Sequence, residues 1–96
     1  MTIKVVLMPG HSLHYHSHEH RDEIWTVISG TGIALIDEQK RPVAPGDVIS
    51  MPAGCRHTVF AHTELEIIEV QVGSEISVED KQKYELPEDC SLKREN

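Results

Sequence analysis

The chain has few aromatic residues, little positive charge, almost no cysteine and no long apolar run. Its aromatics are Tyr15, Trp25, Phe60 and Tyr84, so aliphatic side chains must build the core. Nine Lys and Arg stand against 16 Asp and Glu, a net charge of -7. That balance disfavours nucleic acid, whose binding needs basic surface to displace counterions from phosphates. It disfavours an anionic membrane surface for the same reason. No apolar run approaches the ~20 residues that span a bilayer, and Met1 to Val5 lacks the apolar stretch of a secretion signal. The expectation is a soluble, cytoplasmic protein. Cys55 and Cys90 are too few for a disulfide framework and suit a reducing compartment.

Histidine is abundant: seven in 96 residues, five of them between His11 and His20. A chain of this length is one domain, read here as residues 1–96 with a core of about 3–73 and a tail of 74–96. Short β-prone runs alternate with turn residues. Ile3 to Met8 closes at Pro9-Gly10, and Ser12 to His18 reads as extended. Ile24 to Ile28 stops at Ser29-Gly30, and Gly32 to Asp37 follows through what reads as a tight hairpin. Further runs end at Pro45-Gly46 and Pro52-Ala53-Gly54, and Leu65 to Val72 is the last and longest. About eight short strands punctuated by Gly and Pro indicate an all-β sandwich or small barrel. Ser77-Val78-Glu79-Asp80 is expected to cap one helical turn through Lys81 to Tyr84, with a polar tail after it.

His14, His16 and His18 alternate, so an extended strand carries all three imidazoles on one face. Glu23 follows, and His57 opens a later strand. Three imidazoles and one carboxylate suit a divalent first-row ion such as Zn, Fe or Mn. Taken alone, the histidines read equally well as surface residues.

The spacing around them resembles the cupin superfamily. Gly10, five residues, His16-Ser17-His18, four residues, Glu23, six residues and Gly30 match its first motif. Gly46, five residues, Pro52-Ala53-Gly54, two residues and His57 match its second, with Ala61 where the family carries Asn. The resemblance implies a cupin double-stranded β-helix, or jelly roll. It also implies one divalent transition metal (Zn, Mn or Fe) on His16, His18, Glu23 and His57. With Glu23 facing inward, a period of two sends Trp25 and Val27 inward as well. Ile24 and Ile28 then form an outer apolar face, which suggests a homodimer, as is common in the family.

A finer resemblance covers about residues 5–80. The stretch from His18-x-His20-Arg21-x-Glu23-x-Trp25 to Gly30-Thr31, with the strand Leu65 to Gly73, is similar to the cupin domain of type II mannose-6-phosphate isomerases. The fused enzymes usually carry Gln where this chain has His16. Their guanylyltransferase function has no counterpart here, because the chain has no Gly-rich phosphate loop. The implied activity is aldose–ketose isomerisation of a sugar phosphate. His14 is the first candidate for the general base and Glu69 the second. Arg56 is the favoured phosphate cation, ahead of Arg21 and Lys4, and Trp25 is a candidate sugar contact or core wall. Two other functions fit the same donor set: a dioxygenase using Fe or Mn, and a non-catalytic cupin that binds a sugar or metabolite.

Overall fold

A computed structural model describes residues 1–73, 76, 77 and 79–86. The tail expected beyond Leu86, with Cys90, lies outside the described residues. Nine strands are present in that part: β1 (Thr2–Leu7), β2 (Tyr15–Ser17), β3 (Asp22–Ser29), β4 (Gly32–Ile36), β5 (Gln39–Val43), β6 (Val48–Met51), β7 (His57–Ala61), β8 (Leu65–Val72) and β9 (Gln82–Tyr84). They form two antiparallel sheets, ordered β1-β8-β3-β6 and β5-β4-β7-β2-β9. This is the all-β jelly roll that the resemblance implied. No helix among the described residues is long and apolar enough to cross a membrane.

Alternation along the strands decides what is inside. In β3, Glu23, Trp25 and Val27 are buried and their neighbours point away. In β8, Leu65, Ile67, Glu69 and Gln71 are buried. The core forms where Trp25, Val27, Ile49, Met51, Leu65 and Ile67 of the first sheet meet Ala34, Val43, Val59 and Ala61 of the second. Burying each large side chain contributes roughly 1.5–3 kcal/mol. A smaller cluster of Tyr15, Ile33, Leu35 and Phe60 occupies the other face of the second sheet.

Two expectations are corrected. Residues 29–32 do make a tight connection, but β3 and β4 belong to different sheets, so it is a corner between layers rather than a hairpin. At Gly30 the backbone takes φ +89, and a Cβ there would lie 2.0 Å from the Glu64 carbonyl oxygen. The hairpin lies one strand later, between β4 and β5, where Asp37 and Glu38 both have positive φ. That left-handed pair matches the natural twist of a two-residue turn.

The helical turn over residues 81–84 is absent, and β9 stands there instead. β2 offers a free edge, and β9 pairs with it from Tyr15↔Tyr84 to Ser17↔Gln82. A single helical turn is costly to nucleate, whereas this edge supplies ready partners. The Ser17 and Tyr84 hydroxyls lie 2.8 Å apart, and the Tyr15 and Tyr84 rings meet edge-on. Only a turn survives of the expected cap, with Asp80 N donating to the Ser77 carbonyl.

Candidate metal centre

His16, His18, Glu23 and His57 converge, and one donor atom from each lies within 4.8 Å of all the others. The sheets make this happen. His16 pairs directly with His57 across β2 and β7, and His18 follows on the same face of the chain. Glu23 faces them from the opposite sheet. The loop before His57 is tied on both sides. Gly54 N donates to the His18 carbonyl, and Arg56 N donates to Asp37 in the β4–β5 turn.

Each imidazole is held in one tautomer. Nδ1 of His16 donates to the His14 carbonyl, Nδ1 of His18 to the Asp80 carbonyl, and Nδ1 of His57 to the Cys55 carbonyl. A carbonyl only accepts, so each Nδ1 carries a proton, and in the neutral ring Nε2 is left with the lone pair. Glu23 Oε1 stands 3.2 Å from His57 Nε2, and Glu23 Oε2 stands 3.2 Å from His18 Nε2. The first contact has charge-pair distance but not the alignment of a hydrogen bond: both atoms are buried without a partner. The Nε2 atoms of three imidazoles and one carboxylate therefore face a common point, where a divalent cation could sit.

Burial lowers the His16 pKa to about 4 against the pull of the His14 carbonyl, so this ring is neutral. Burial pushes the Glu23 carboxyl up, but His57, His18 and Arg21 outweigh it and bring the pKa down to about 2. The group is a carboxylate throughout the working range. Burial, helped by Asp37, raises the Cys55 thiol to about 11. Cys55 is a buried free thiol that stays protonated, and it is not among the converging groups.

A cavity of about 360 Å³ adjoins the centre. His16 and His18 are part of its lining. Arg21, Lys81, Glu69 and Gln71 form a polar wall, and Met1, Ile3, Val5, Leu13 and Ile76 an apolar one. Trp25 is core wall: it is buried, lies outside the cavity lining, and packs edge-on to His57. Its Nε1 donates to Glu69 Oε1 at 2.9 Å, and Gln71 Nε2 donates to Glu69 Oε2 at 2.6 Å. His14 is exposed, and the bond it makes in the centre is through its backbone carbonyl. Arg56 is exposed too, with its guanidinium 4.0 Å above the Tyr84 ring and outside the cavity lining.

Of the polar wall, the sequence offered Glu69 as a second candidate base and Arg21 as a candidate phosphate cation, whereas Gln71 and Lys81 went unread. Glu69 and Gln71 carried a signal, since both occupy inward positions of a strand whose other inward residues are Leu65 and Ile67. Asp80 carried none, because its role comes from β9 docking on β2. Its carboxylate accepts from the backbone N of Glu19 and of His20, both at 2.8 Å, and its carbonyl fixes His18.

Residues 3–72 match the family model described as the cupin domain. Among curated proteins, the alginate biosynthesis protein AlgA of Pseudomonas putida is 34% identical over 83 residues, 84% of this chain and 17% of that one. The mannose-1-phosphate guanylyltransferase ManC of Salmonella typhimurium is 29% identical over 84 residues, 85% of this chain and 18% of that one. This chain thus spans under a fifth of the length of either relative. A solved Cupin 2 conserved barrel domain protein from Salinispora arenicola superposes with TM-score 0.69 at 32% identity, covering 76% of this chain and 62% of that one.

Proposed function

The chain belongs to the cupin family, and on that premise we propose that it is a metal-dependent isomerase acting on a sugar phosphate, with mannose 6-phosphate and fructose 6-phosphate as the test pair. The observation that carries this reading is the ring of inward lone pairs beside a cavity walled by a carboxylate, an amide and two cations. The sugar-nucleotide relatives support the substrate class.

His16, His18, Glu23 and His57 would hold one divalent ion, and the donor set suits Zn, Mn and Fe. When bound, such an ion supplies Lewis-acid stabilisation to the adjacent substrate oxygens. The remaining work falls to the chain. Glu69, held at both oxygens by Trp25 and Gln71, is the group in the cavity wall suited to take the proton from C2 and return it to C1. A proton passes between the two neighbouring oxygens, so no external oxidant is needed. Arg21 and Lys81 provide positive charge for the phosphate, and the apolar wall limits water. A second copy would cover the outer face of the β1-β8-β3-β6 sheet, where Ile28, Val48 and Val72 are about half exposed, and light scattering would report the resulting dimer.

The test is interconversion of the two sugar phosphates by metal-loaded protein, with His57→Ala as the control. Turnover above that control is expected. Oxygen uptake with an aromatic or enol substrate would transfer the centre to dioxygenase chemistry. Metal-dependent binding of the sugar phosphate without turnover would make the protein a binding cupin.

A further inference from the structure

We propose that Arg21 is an anion clamp released by the metal: the guanidinium and a divalent ion compete for the same lone pair, and binding of the ion turns the guanidinium toward a phosphate or carboxylate group in the cavity. The inference rests on the metal reading of the centre and not on the isomerase reaction.

Three contacts hold the guanidinium. Nε donates to Glu23 Oε2 at 2.8 Å, Nη2 donates to His18 Nε2 at 3.2 Å, and Nη1 reaches the Ser77 carbonyl at 3.4 Å. The side chain is 9% exposed, so these partners take the place of solvent. His18 Nε2 has one lone pair, because its Nδ1 proton is committed to Asp80. An ion that takes this lone pair removes the acceptor of Nη2. Glu23 is different: Arg21 holds Oε2, whereas Oε1 is buried without a partner, so ion and guanidinium can share the carboxylate through separate oxygens.

The bond to Glu23 therefore serves as a pivot, while Nη2 loses its partner. A buried donor left unpaired is costly, and the nearby alternative is the cavity that Arg21 already lines. An oxyanion there can take two parallel N–H bonds from a planar guanidinium. Lys81 lines the same cavity and adds charge. Metal and anion must then favour each other, and the coupling is reciprocal.

The test measures Mn2+ affinity from the EPR signal of the free ion, with and without inorganic phosphate. In the unmodified protein phosphate should tighten Mn2+ binding about tenfold, within the usual range of such couplings. Arg21→Gln should reduce that gain to about twofold or less, and without phosphate it should bind Mn2+ at least as tightly as the parent, because the competitor for His18 is gone. Arg21→Lys keeps a charge beside Glu23 but lacks the planar fork, and should lose most of the coupling. Full coupling retained in Arg21→Gln would overturn the proposal by showing that phosphate meets the ion or Lys81 directly. Coupling lost in Lys81→Gln but kept in Arg21→Gln would assign the anion to Lys81 and overturn it too. A large loss of Mn2+ affinity in phosphate-free Arg21→Gln would make Arg21 a support for Glu23 instead. If the unmodified protein binds no Mn2+, Zn2+ or Fe2+, the metal reading falls and takes the inference with it. If the coupling appears without sugar-phosphate turnover, only the isomerase reading falls.

Discussion

Replacing Glu23 with Gln keeps the size of the side chain and removes the one negative charge in the centre. In metal-free protein the carboxylate accepts from Arg21 Nε at 2.8 Å and faces two imidazoles at 3.2 Å. Its pKa falls from the ordinary 4.5 to about 2 in the folded chain. A span of about 2.5 pH units at 1.36 kcal/mol each is about 3 kcal/mol in favour of the charged form. Because the folded pKa lies below the unfolded one, this stability is complete above about pH 4.5 and disappears as the pH falls toward about 2. Gln has no such dependence. The charge left on buried Arg21 is the same interaction seen from the other partner and is not counted again. Glu23→Gln should therefore be about 2–3 kcal/mol less stable near neutral pH, with the gap narrowing to below about 1 kcal/mol near pH 2.5. His16 titrates in both proteins: its folded pKa of about 4 lies below 6.5, so its contribution is complete above 6.5 and lost toward 4, and it cancels in the comparison. Urea unfolding in a chelator at several pH values measures the gap. A gap that stays constant with pH, or no gap near neutrality, would refute the claim that cationic neighbours hold this carboxylate ionised.

Asp80→Ala removes the carboxylate that accepts from Glu19 N and His20 N, which frees the carbonyl orienting His18. Metal affinity by calorimetry should fall about 10–100-fold, as expected when an outer partner of a ligand is lost. Gly30→Ala drives a Cβ to 2.0 Å from the Glu64 carbonyl at a positive φ. The strain and overpacking should cost about 2–4 kcal/mol by denaturant unfolding, and an unchanged midpoint would show that the corner can relax. Trp25→Phe deletes the donor to Glu69 Oε1. It should cost roughly 1.5–3 kcal/mol and depress turnover while metal stoichiometry stays at one, so a loss of metal would contradict the separation of Glu69 from the ligands.

The four converging groups were legible through the motif spacing that resembles the cupin family, which singled out His16, His18, Glu23 and His57. A strand's period of two puts His16 and His18 on one face, and the same parity runs from Glu23 to Trp25 and Val27. Glycines such as Gly30 marked where the chain turns, and His57 needed only a strand facing β2. What escaped was decided by partners far away in the chain. Arg56 adjoins His57 in sequence, which made it the natural cation. Adjacent residues of an extended chain point to opposite faces, however, and Arg56 lies over Tyr84 instead. Arg21 shares the parity of Glu23 and reaches the cavity. β9 has no alternating apolar pattern, since its stability comes from the edge of β2 and from Tyr84 against Tyr15. A segment whose structure exists only through its partner leaves no period to read, yet this one supplies Asp80 to His18 and Lys81 to the cavity. The chemistry of the centre is thus shared between motifs that local rules expose and a strap that only the closed sheet defines.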